Sequence, residues 1–472
     1  MEIWKPIDTI VKDVQNGRTT AQELVERAHK AIETAEEYKA VIAVIKERAI
    51  KRAKDIDSKI AKGQSVGRLA GIPFIAKDNF LAFGADTTAA SNILKGFEAP
   101  YQSTAIERLE AEGAICVAKA NLDAFAHGSS TENSDYMTTL NPHDKTRVPG
   151  GSSGGSAAAI ALNLVPFTLG TDTGGSIRLP ASYCGVVGYK PSYGLVSRSG
   201  VIAMASSTDT IGPLARSVED AALVLDVMSG PDELDATTIQ REDDYTALND
   251  SLRGKTVGVI DEYFTDQLDE QVKSVIASRI DQLKKAGASI RNISLPSLDL
   301  ALACYYIIVP AEISSNLSRY DGQRYGFSYK DAKSLTESYE QTRSIGFGDE
   351  AKRRIMLGTY VLSSGYYDAY YKKAQQLRTK LIEECNGAFD SVDFLLGPTA
   401  PSTAFKIGEN EDPMQMYLTD IMTVAANLIG IPAISIPAGE VNNLPVGLQL
   451  MAPQKQDKAL LTFAKNVQEL II

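Results

Sequence analysis

The chain has 472 residues, of which 44% are hydrophobic and 23% charged, and its formal net charge is −11 at pH 7. This composition, without any low-complexity tract, is typical of a globular protein with an ample core and excludes a disordered chain. The acidic balance also argues against a protein that grips a nucleic acid over much of its own surface, because the phosphate backbone is a polyanion.

The four cysteines are widely spaced and stand mostly in apolar contexts. They lack the spacing of metal ligands, so we expect reduced core cysteines and no metal site. The first residues, "MEIWKPIDTIVKDVQNG", have neither the apolar segment of a secretory signal nor the acid-poor composition of a transit peptide. No run of about 18 or more apolar residues occurs, and we therefore expect a cytoplasmic protein without a membrane span.

Apolar and amphipathic segments alternate along the chain. A capping box, Thr20 followed by Glu23, opens an amphipathic helix near the start. The alternation of strand-like segments with amphipathic helices favours an α/β protein whose sheet is covered by helices on both faces. The predicted strands include 114–120, 256–261 and 393–399, and the clearest predicted helix is 268–286.

The first segment with chemical character is "LAGIPFIAKDNF", residues 69–80, in which Lys77 follows an apolar run that predicts the end of a buried strand. Lysine is seldom buried without a partner. If its head group is buried, desolvation favours the neutral amine, which can act as a general base. In the alternative interpretation, Lys77 lies at the mouth of the strand with its head group in water.

A cluster of glycines and serines follows in "VPGGSSGGSAAAIALN", residues 148–163, and contains Ser152. Glycine and serine runs are usually flexible linkers. This run is short, however, and it is joined directly to apolar segments, the second of them an alanine-rich stretch that should be helical. We therefore favour a structured loop that opens a helix.

A second glycine loop, "GTDTGGSIRLP" at residues 170–180, places three glycines around Ser176 directly after an apolar run that predicts a strand. Glycines allow a tight turn whose backbone N–H groups converge on one negative charge. The glycine patterns of phosphate-binding loops do not occur here. The loop is therefore better suited to the oxyanion that forms when a nucleophile, here Ser176, attacks a carbonyl.

A serine nucleophile needs a base, and the chain has three histidines. His29 lies in the amphipathic helix near the start and His143 in a polar turn, whereas His127, in "FAHGSSTEN", stands in a loop. Both His127 and Lys77 therefore remain candidates for the base.

The three segments together resemble the amidase signature family of Ser-Ser-Lys hydrolases. That family has a lysine after an apolar strand, then GGSSGGS, then GTDxGGSIRxP, with 24 positions between Ser152 and Ser176 as in this chain. The resemblance implies that Ser176 is the nucleophile, Ser152 a bridging serine that relays its proton, and Lys77 the base. It also implies a cis peptide bond at Ser152. The implied oxyanion hole consists of the backbone N–H groups of Thr173, Gly174, Gly175 and Ser176.

The family resemblance also implies an architecture. One large α/β domain would span residues 1–472, with a mixed central sheet covered by helices on both faces. Residues 1–65 would form a helical prelude, and residues 66–472 the catalytic core.

Long segments outside these motifs resemble one subgroup of the family, the A subunits of glutamyl-tRNA(Gln) amidotransferases. They are 123–134, 314–327, 346–378, 397–409 and 416–439. The subgroup hydrolyses glutamine, which carries an α-carboxylate and an α-ammonium group, so the pocket needs one cation and one anion. The resemblance assigns these roles to Arg354 and Asp420. Arg354 could otherwise be read as a charged residue on the surface of a helix.

The subgroup also implies further contacts with the substrate. Tyr305, Gly128 and Ser129 are carried over as substrate-binding residues. One departure concerns His127, since the subgroup usually has methionine at this position, in a loop that lines the glutamine pocket.

The subgroup resemblance implies a heterotrimer with a B and a C subunit. The B subunit would bind the tRNA and, with ATP and Mg²⁺, activate its glutamate, so no cofactor is expected in this chain. Two alternatives remain open. One is a stand-alone amidase that acts on a small primary amide. The other is a non-catalytic scaffold in which the serine loops are structural.

Overall fold

A computed structural model describes residues 2–241, 244–410 and 412–471. In these residues eleven strands form one mixed sheet. The strands are β1 (Val41–Val44), β2 (Pro73–Lys77), β3 (Ile115–Ala120), β4 (Phe167–Asp172), β5 (Val187–Lys190), β6 (Thr210–Ala215), β7 (Thr256–Ile260), β8 (Ser289–Ile293), β9 (Phe394–Pro398), β10 (Ala433–Val441) and β11 (Leu444–Met451).

Fifteen α-helices lie in the described part of the chain. They are α1 (Ile7–Gln15), α2 (Ala21–Thr34), α3 (Glu47–Ala61), α4 (Thr104–Ala111), α5 (Gly154–Ala161), α6 (Arg178–Cys184), α7 (Val218–Met228), α8 (Glu270–Lys285), α9 (Ala301–Asn316), α10 (Leu335–Gly346), α11 (Asp349–Leu362), α12 (Tyr371–Phe389), α13 (Pro413–Leu418), α14 (Val424–Ile429) and α15 (Asp457–Ile471).

The strand order in the sheet is β1-β3-β2-β4-β6-β5-β10-β11-β9-β7-β8. Strand β2 is parallel to both of its neighbours, β3 and β4, whereas the central strands β6, β5, β10 and β11 pair antiparallel. Every residue of β2, β3, β4 and β11 is buried. Because successive strand residues face opposite sides of a sheet, helices must cover both faces. The predicted α/β class with a mixed, doubly covered sheet is confirmed.

The first 65 residues differ from a purely helical prelude. They contain the three helices α1 to α3, and the predicted capping box at the start of α2 is present, with Thr20 and Glu23 bonded reciprocally. They also contribute β1, which pairs antiparallel with β3 and forms one edge of the sheet. This segment is therefore part of the central sheet, because pairing with β3 supplies the ladder partners that a four-residue strand needs.

Most predicted elements lie within a few residues of their predicted bounds. The three predicted strands correspond to β3, β7 and β9, and the predicted helix corresponds to α8. The apolar run before the second glycine loop begins at Leu164, but β4 starts at Phe167, directly after Pro166. Pro166 has no N–H to give to a sheet ladder, so its own backbone cannot donate to a neighbouring strand.

One helical stretch, Pro296–Arg319, is long and apolar enough by length and composition to span a membrane, with a mean hydropathy of 1.3. Its most apolar window is 56% buried within the protein. Helix α9 makes up most of this stretch and packs against α11 and α12. Packing against α11 and α12 therefore explains the apolar residues of α9, which is a core helix.

Candidate active site

Two parallel strands, β2 and β4, end side by side and carry polar groups at their ends. Lys77 is the last residue of β2, and Thr171 and Asp172 are the last two residues of β4. The strands pair with Ala76 beside Leu169. Because parallel strands end at the same edge of a sheet, the two sets of polar residues meet there.

Lys77 is fully buried, and its amine lies among hydroxyl groups. Its Nζ is 2.7 Å from Ser152 Oγ, 2.9 Å from Ser153 Oγ and 2.9 Å from Thr171 Oγ1. Burial lowers the pKa of Lys77 to about 7, although nearby buried carboxylates oppose this shift. The amine is therefore neutral in part of the molecules at neutral pH, and its lone pair can then accept a proton from a hydroxyl group.

The segments that carry Ser152 and Ser176 are joined by a backbone hydrogen bond. The Gly151–Ser152 peptide bond is cis, as the family resemblance implies. The Ser153 N–H donates to the Ser176 carbonyl at 3.1 Å. Ser176 is 8% exposed, whereas Ser152 is fully buried. A substrate can therefore reach Ser176 first, with Ser152 and Lys77 behind it.

The Asp172 side chain is hydrogen-bonded to the backbone of the glycine loop that follows it. Its carboxylate accepts hydrogen bonds from the Gly175 N–H at 2.8 Å and the Ile177 N–H at 3.1 Å. The Arg178 side chain donates to both carboxylate oxygens at 3.0 Å. Burial raises the pKa of Asp172, but the Arg178 guanidinium outweighs it and lowers the pKa to about 2. The loop is thus built around a permanent negative charge.

The bond to Asp172 removes one N–H donor from the expected oxyanion hole. Gly175 has a φ of +138°, which only glycine adopts readily, and its N–H points to Asp172. Its hydrogen bond is therefore used within the loop, contrary to its expected role. Of the predicted donors, Thr173, Gly174 and Ser176 remain candidates for the oxyanion.

Close approach explains why glycines stand in the loop. A Cβ atom on Gly174 would lie 2.7 Å from the Tyr305 hydroxyl, and one on Gly175 would lie 2.2 Å from Thr423 Oγ1. Tyr305 lies on α9 and is buried, and that burial holds its pKa above the usual value. The predicted substrate residue Tyr305 is therefore in contact with the loop that follows β4.

A cavity of about 330 Å³ has Asp123 in its lining, and the Asp123 N–H donates to the Ser152 carbonyl at 3.3 Å. Its lining includes Gly128, Ser129 and Arg354, three of the predicted substrate-binding residues, together with His127. Asp420, also predicted, is buried outside this lining, and Thr423, whose N–H donates to the Asp420 carbonyl at 2.9 Å, donates its hydroxyl to the Gly174 carbonyl at 2.6 Å. Burial raises the pKa of Asp420 well above its usual value, and Arg354 opposes that shift.

Arg354 is buried on α11, so the alternative of a surface helix residue is wrong. Its Nε donates to Glu350 Oε1 at 2.8 Å. The guanidinium carbon lies 5.4 Å and 5.6 Å from the ring centres of Tyr306 and Tyr417, which stack on each other at 3.8 Å. Burial opposes the charge, but Tyr306 and Glu350 hold the pKa of Arg354 above its usual value. The cavity therefore presents a permanent cation.

The loop that carries Gly128 wraps around Asp123. The Asp123 carboxylate accepts hydrogen bonds from the Thr131 N–H at 2.9 Å and the Asn133 N–H at 3.1 Å. A Cβ atom on Gly128 would lie 2.5 Å from the Asp123 carboxyl carbon, so glycine is required there. Burial raises the pKa of Asp123 to about 6.

Several residues of the site were not singled out from the sequence. Ser153 and Thr171 bind the Lys77 amine, and Tyr306, Tyr417 and Glu350 surround Arg354. Thr171 and Ser153 stand inside the quoted motifs and could have been found there. Tyr306 and Tyr417 are far apart in sequence and carry no local signal. Within the described residues, no group of three or more His, Cys, Asp or Glu side chains is placed to hold a metal ion.

Comparison with known proteins places the chain in a family. The amidase family matches residues 23–461. A relative from Clostridium acetobutylicum, the second of its glutamyl-tRNA(Gln) amidotransferase A subunits, is 51% identical over 438 residues, which cover 92% of this chain and 92% of that protein. The chain therefore belongs to the amidase family.

Two solved structures share the fold. The A subunit of the glutamyl-tRNA(Gln) amidotransferase from Thermotoga maritima is 40% identical, with a TM-score of 0.80 over 95% of this chain and 91% of that one. The peptide amidase from Stenotrophomonas maltophilia is 29% identical, with a TM-score of 0.85 over 99% of this chain and 97% of that one. The same fold thus occurs in a subunit of a tRNA amidotransferase and in a peptide amidase.

Proposed function

We propose that the chain is the glutaminase component, the A subunit, of a glutamyl-tRNA(Gln) amidotransferase. It hydrolyses glutamine and supplies the ammonia that converts Glu-tRNA(Gln) into Gln-tRNA(Gln). The observation that carries the proposal is the buried contact of 2.7 Å between the Lys77 amine and the Ser152 hydroxyl, beside a cavity that contains a buried arginine. Identity of 51% to a relative of that name supports glutamine as the substrate.

In the proposed mechanism, the neutral amine of Lys77 takes the proton of Ser152, and Ser152 takes that of Ser176. Ser176 Oγ attacks the side-chain amide carbon of glutamine, and loop N–H groups stabilise the oxyanion. The C–N bond then breaks, and the relay returns a proton to the leaving nitrogen, which departs as ammonia. Water hydrolyses the resulting acyl ester, which releases glutamate and restores Ser176.

The two charged ends of glutamine define its binding mode in this proposal. Arg354 binds the α-carboxylate, for which a planar guanidinium is well suited. Asp420 binds the α-ammonium group, whose positive charge favours the ionised form of the buried carboxyl. Tyr305, Gly128 and Ser129 complete the contacts with the substrate.

The proposal includes two partners, a B and a C subunit. The B subunit binds the tRNA and, with ATP and Mg²⁺, activates its glutamate, and the ammonia travels to it through a channel. The C subunit contacts both larger subunits. The net charge of −11 supports a division in which tRNA contacts belong mainly to the B subunit. The complex acts in the cytoplasm.

A second candidate is a stand-alone amidase for a small primary amide, and the TM-score of 0.85 with a peptide amidase favours it. Glutamine accounts better for the cavity beside Arg354, because an uncharged amide would leave that buried guanidinium without a counter-charge from the substrate. A non-catalytic scaffold is a third possibility, and it predicts that Ser176→Ala leaves function intact.

Co-expression with candidate B and C subunits tests the proposal. The purified complex should amidate Glu-tRNA(Gln) with glutamine as nitrogen donor, and Ser176→Ala should retain the reaction with ammonium chloride only. Full amidase activity on simple amides without partners, together with no amidation of the tRNA, would favour the stand-alone enzyme. Glutamine-dependent amidation by Ser176→Ala would favour the scaffold.

A further inference from the structure

His127 is buried in a loop whose backbone is firmly held. Its N–H donates to the Ala124 carbonyl at 3.0 Å, and its own carbonyl accepts from Asn133 Nδ2 at 2.7 Å. The ring lies against Phe125, with 6.1 Å between ring centres. The position of the imidazole is therefore fixed by the surrounding chain.

The His127 ring, unlike the backbone of this residue, makes no hydrogen bond within the described residues. The side chain is fully buried, and in the described part of the chain neither ring nitrogen has a hydrogen-bond partner. Buried polar atoms in native proteins are nearly always paired, and those that are not call for an explanation such as a ligand. A neutral imidazole offers one N–H donor and one acceptor, and its tautomers can present the donor at either nitrogen.

His127 is one of the residues that line the cavity in which Arg354 stands. His127 and Arg354 line the same cavity of about 330 Å³, a size at the lower end of small-molecule sites, which span roughly 300–1,000 Å³. Burial and the nearby charge of Arg354 both lower the pKa of His127 well below its usual value, so the ring is neutral. A carboxylate placed beside Arg354 would be attracted by its charge.

The acidic side chains of the cavity are already engaged or face water. Glu350 accepts from Arg354 Nε at 2.8 Å, and Glu132 accepts from the Gly408 N–H at 2.7 Å. The side chain of Asp349 is 95% exposed. Asp123 accepts hydrogen bonds from its own loop. None of these four carboxylates is a hydrogen-bond partner of the His127 ring in the described structure.

We propose that His127 is a specificity-determining residue that donates a ring N–H to the α-carboxylate of glutamine, beside Arg354. This inference rests on the proposed glutaminase function and extends it to a neutral donor, which a methionine at position 127 would remove. A thioether cannot donate a hydrogen bond. The chain therefore recognises the carboxylate with two side chains, one charged and one neutral.

The test compares His127→Met with wild type and with His127→Asn, which retains an N–H donor. The substrates are glutamine and 4-aminobutanamide, which has the same reacting amide and ammonium group but lacks the carboxylate. Kinetics of ammonia release are measured on the full chain in complex with its partner subunits. His127→Met should raise the KM for glutamine by about 10- to 100-fold, the effect of one hydrogen bond to a charged group, with kcat within about threefold. The KM for 4-aminobutanamide should not change. In His127→Asn, the KM for glutamine should stay close to that of the wild type, because the amide supplies an N–H donor.

Matched controls make the outcome decisive. His29 on α2 is half-buried and also has an unpartnered Nε2 in the described structure, but it does not line this cavity, so His29→Met should leave both KM values unchanged. An unchanged KM for glutamine in His127→Met, or an equal change for both substrates, would overturn the inference. If His127→Met does not fold, as judged by its melting temperature, a His127→Asn enzyme with wild-type selectivity supports the inference and one without selectivity overturns it. Failure of the wild type to hydrolyse glutamine would refute the proposed function itself, before any variant is compared.

Discussion

Two neighbouring regions of the site differ in where their hydrogen bonds go. Around Lys77, the amine has three hydroxyl partners within 2.9 Å, and Asp172 accepts from backbone and side-chain donors of its own loop. Around Arg354, the imidazole of His127 has no partner within the described residues. In the proposed mechanism, the fold thus already holds the Lys77 amine in place, whereas in the recognition region around Arg354 the His127 ring is left to be paired by a bound molecule.

The largest effects should come from the Lys77 region. Ser176→Ala should abolish glutamine hydrolysis, and Lys77→Ala should lower kcat by about 10²-fold or more because the base is lost. Ser152→Ala should leave at most a trace. Ammonia release from glutamine measures all three. As a control, Ser156→Ala alters a buried serine of the same segment that donates to the Leu169 carbonyl at 2.9 Å, and this variant should stay active. A folded Lys77→Ala enzyme with more than about a tenth of the wild-type kcat would remove lysine from the base role.

The recognition region should give the next largest effects. Arg354→Ala and Asp420→Ala each leave one charged end of glutamine unpaired, which should lower kcat/KM by about 30- to 1000-fold. Amidation of the tRNA with ammonium should persist, because that route bypasses this site. Lys352 on the same helix is the matched control, since it does not line the cavity and its side chain is 39% exposed. Retained glutaminase activity in Arg354→Ala would show that the cavity does not bind the carboxylate, and loss of both reactions would indicate misfolding.

The pH dependence of glutamine hydrolysis should report on the Lys77 region. Only the neutral form of Lys77 accepts a proton, and the pKa of this lysine is lowered to about 7. Activity should therefore be present above that pH and lost as the pH falls below it, with kcat/KM about tenfold below its plateau one pH unit lower. A pH series of glutamine hydrolysis across neutrality checks this. A profile that is flat between weakly acidic and weakly alkaline pH would contradict a lysine base.

The smallest effect is expected at the edge of the recognition region. Tyr417→Phe removes the hydroxyl that donates to Glu350 at 3.1 Å but keeps the ring stacked on Tyr306. The KM for glutamine should rise by about 2- to 10-fold, the range for a single hydrogen bond, with kcat unchanged. An effect as large as that of Arg354→Ala would mean that the hydroxyl itself contacts the substrate.

Local sequence patterns were sufficient for much of the fold and singled out Lys77 and Ser176, whereas the role of Ser152 and the choice of Lys77 over His127 as the base came from the family resemblance. An apolar run that ends in Lys77 predicts a buried strand end, and the glycine loop around Ser176 predicts a turn with converging N–H groups. Both signals depend on residues that are neighbours in the chain. The start of β4 was less predictable, because Pro166 cannot donate an N–H to a neighbouring strand although its apolar neighbours favour pairing.

Features that depend on distant contacts could not be predicted in this way. The stacking of Tyr306 on Tyr417 joins α9 to α13, and β1 finds its partner β3 more than 70 residues further along the chain. The use of the Gly175 N–H by Asp172 depends on the detailed path of the loop. The family resemblance supplied Arg354 and Asp420, which no local pattern distinguishes from ordinary charged residues.

The anchoring of Arg178 has a consequence for the synthesis of the protein. Besides Asp172, this fully buried guanidinium donates to the Thr423 carbonyl at 3.0 Å and to Gln449 Oε1 at 2.5 Å, on β11, the last of the described strands to be made. A growing chain cannot form these bonds until residue 449 has left the ribosome. The set of hydrogen bonds that holds Arg178 beside the glycine loop is therefore completed only near the end of translation.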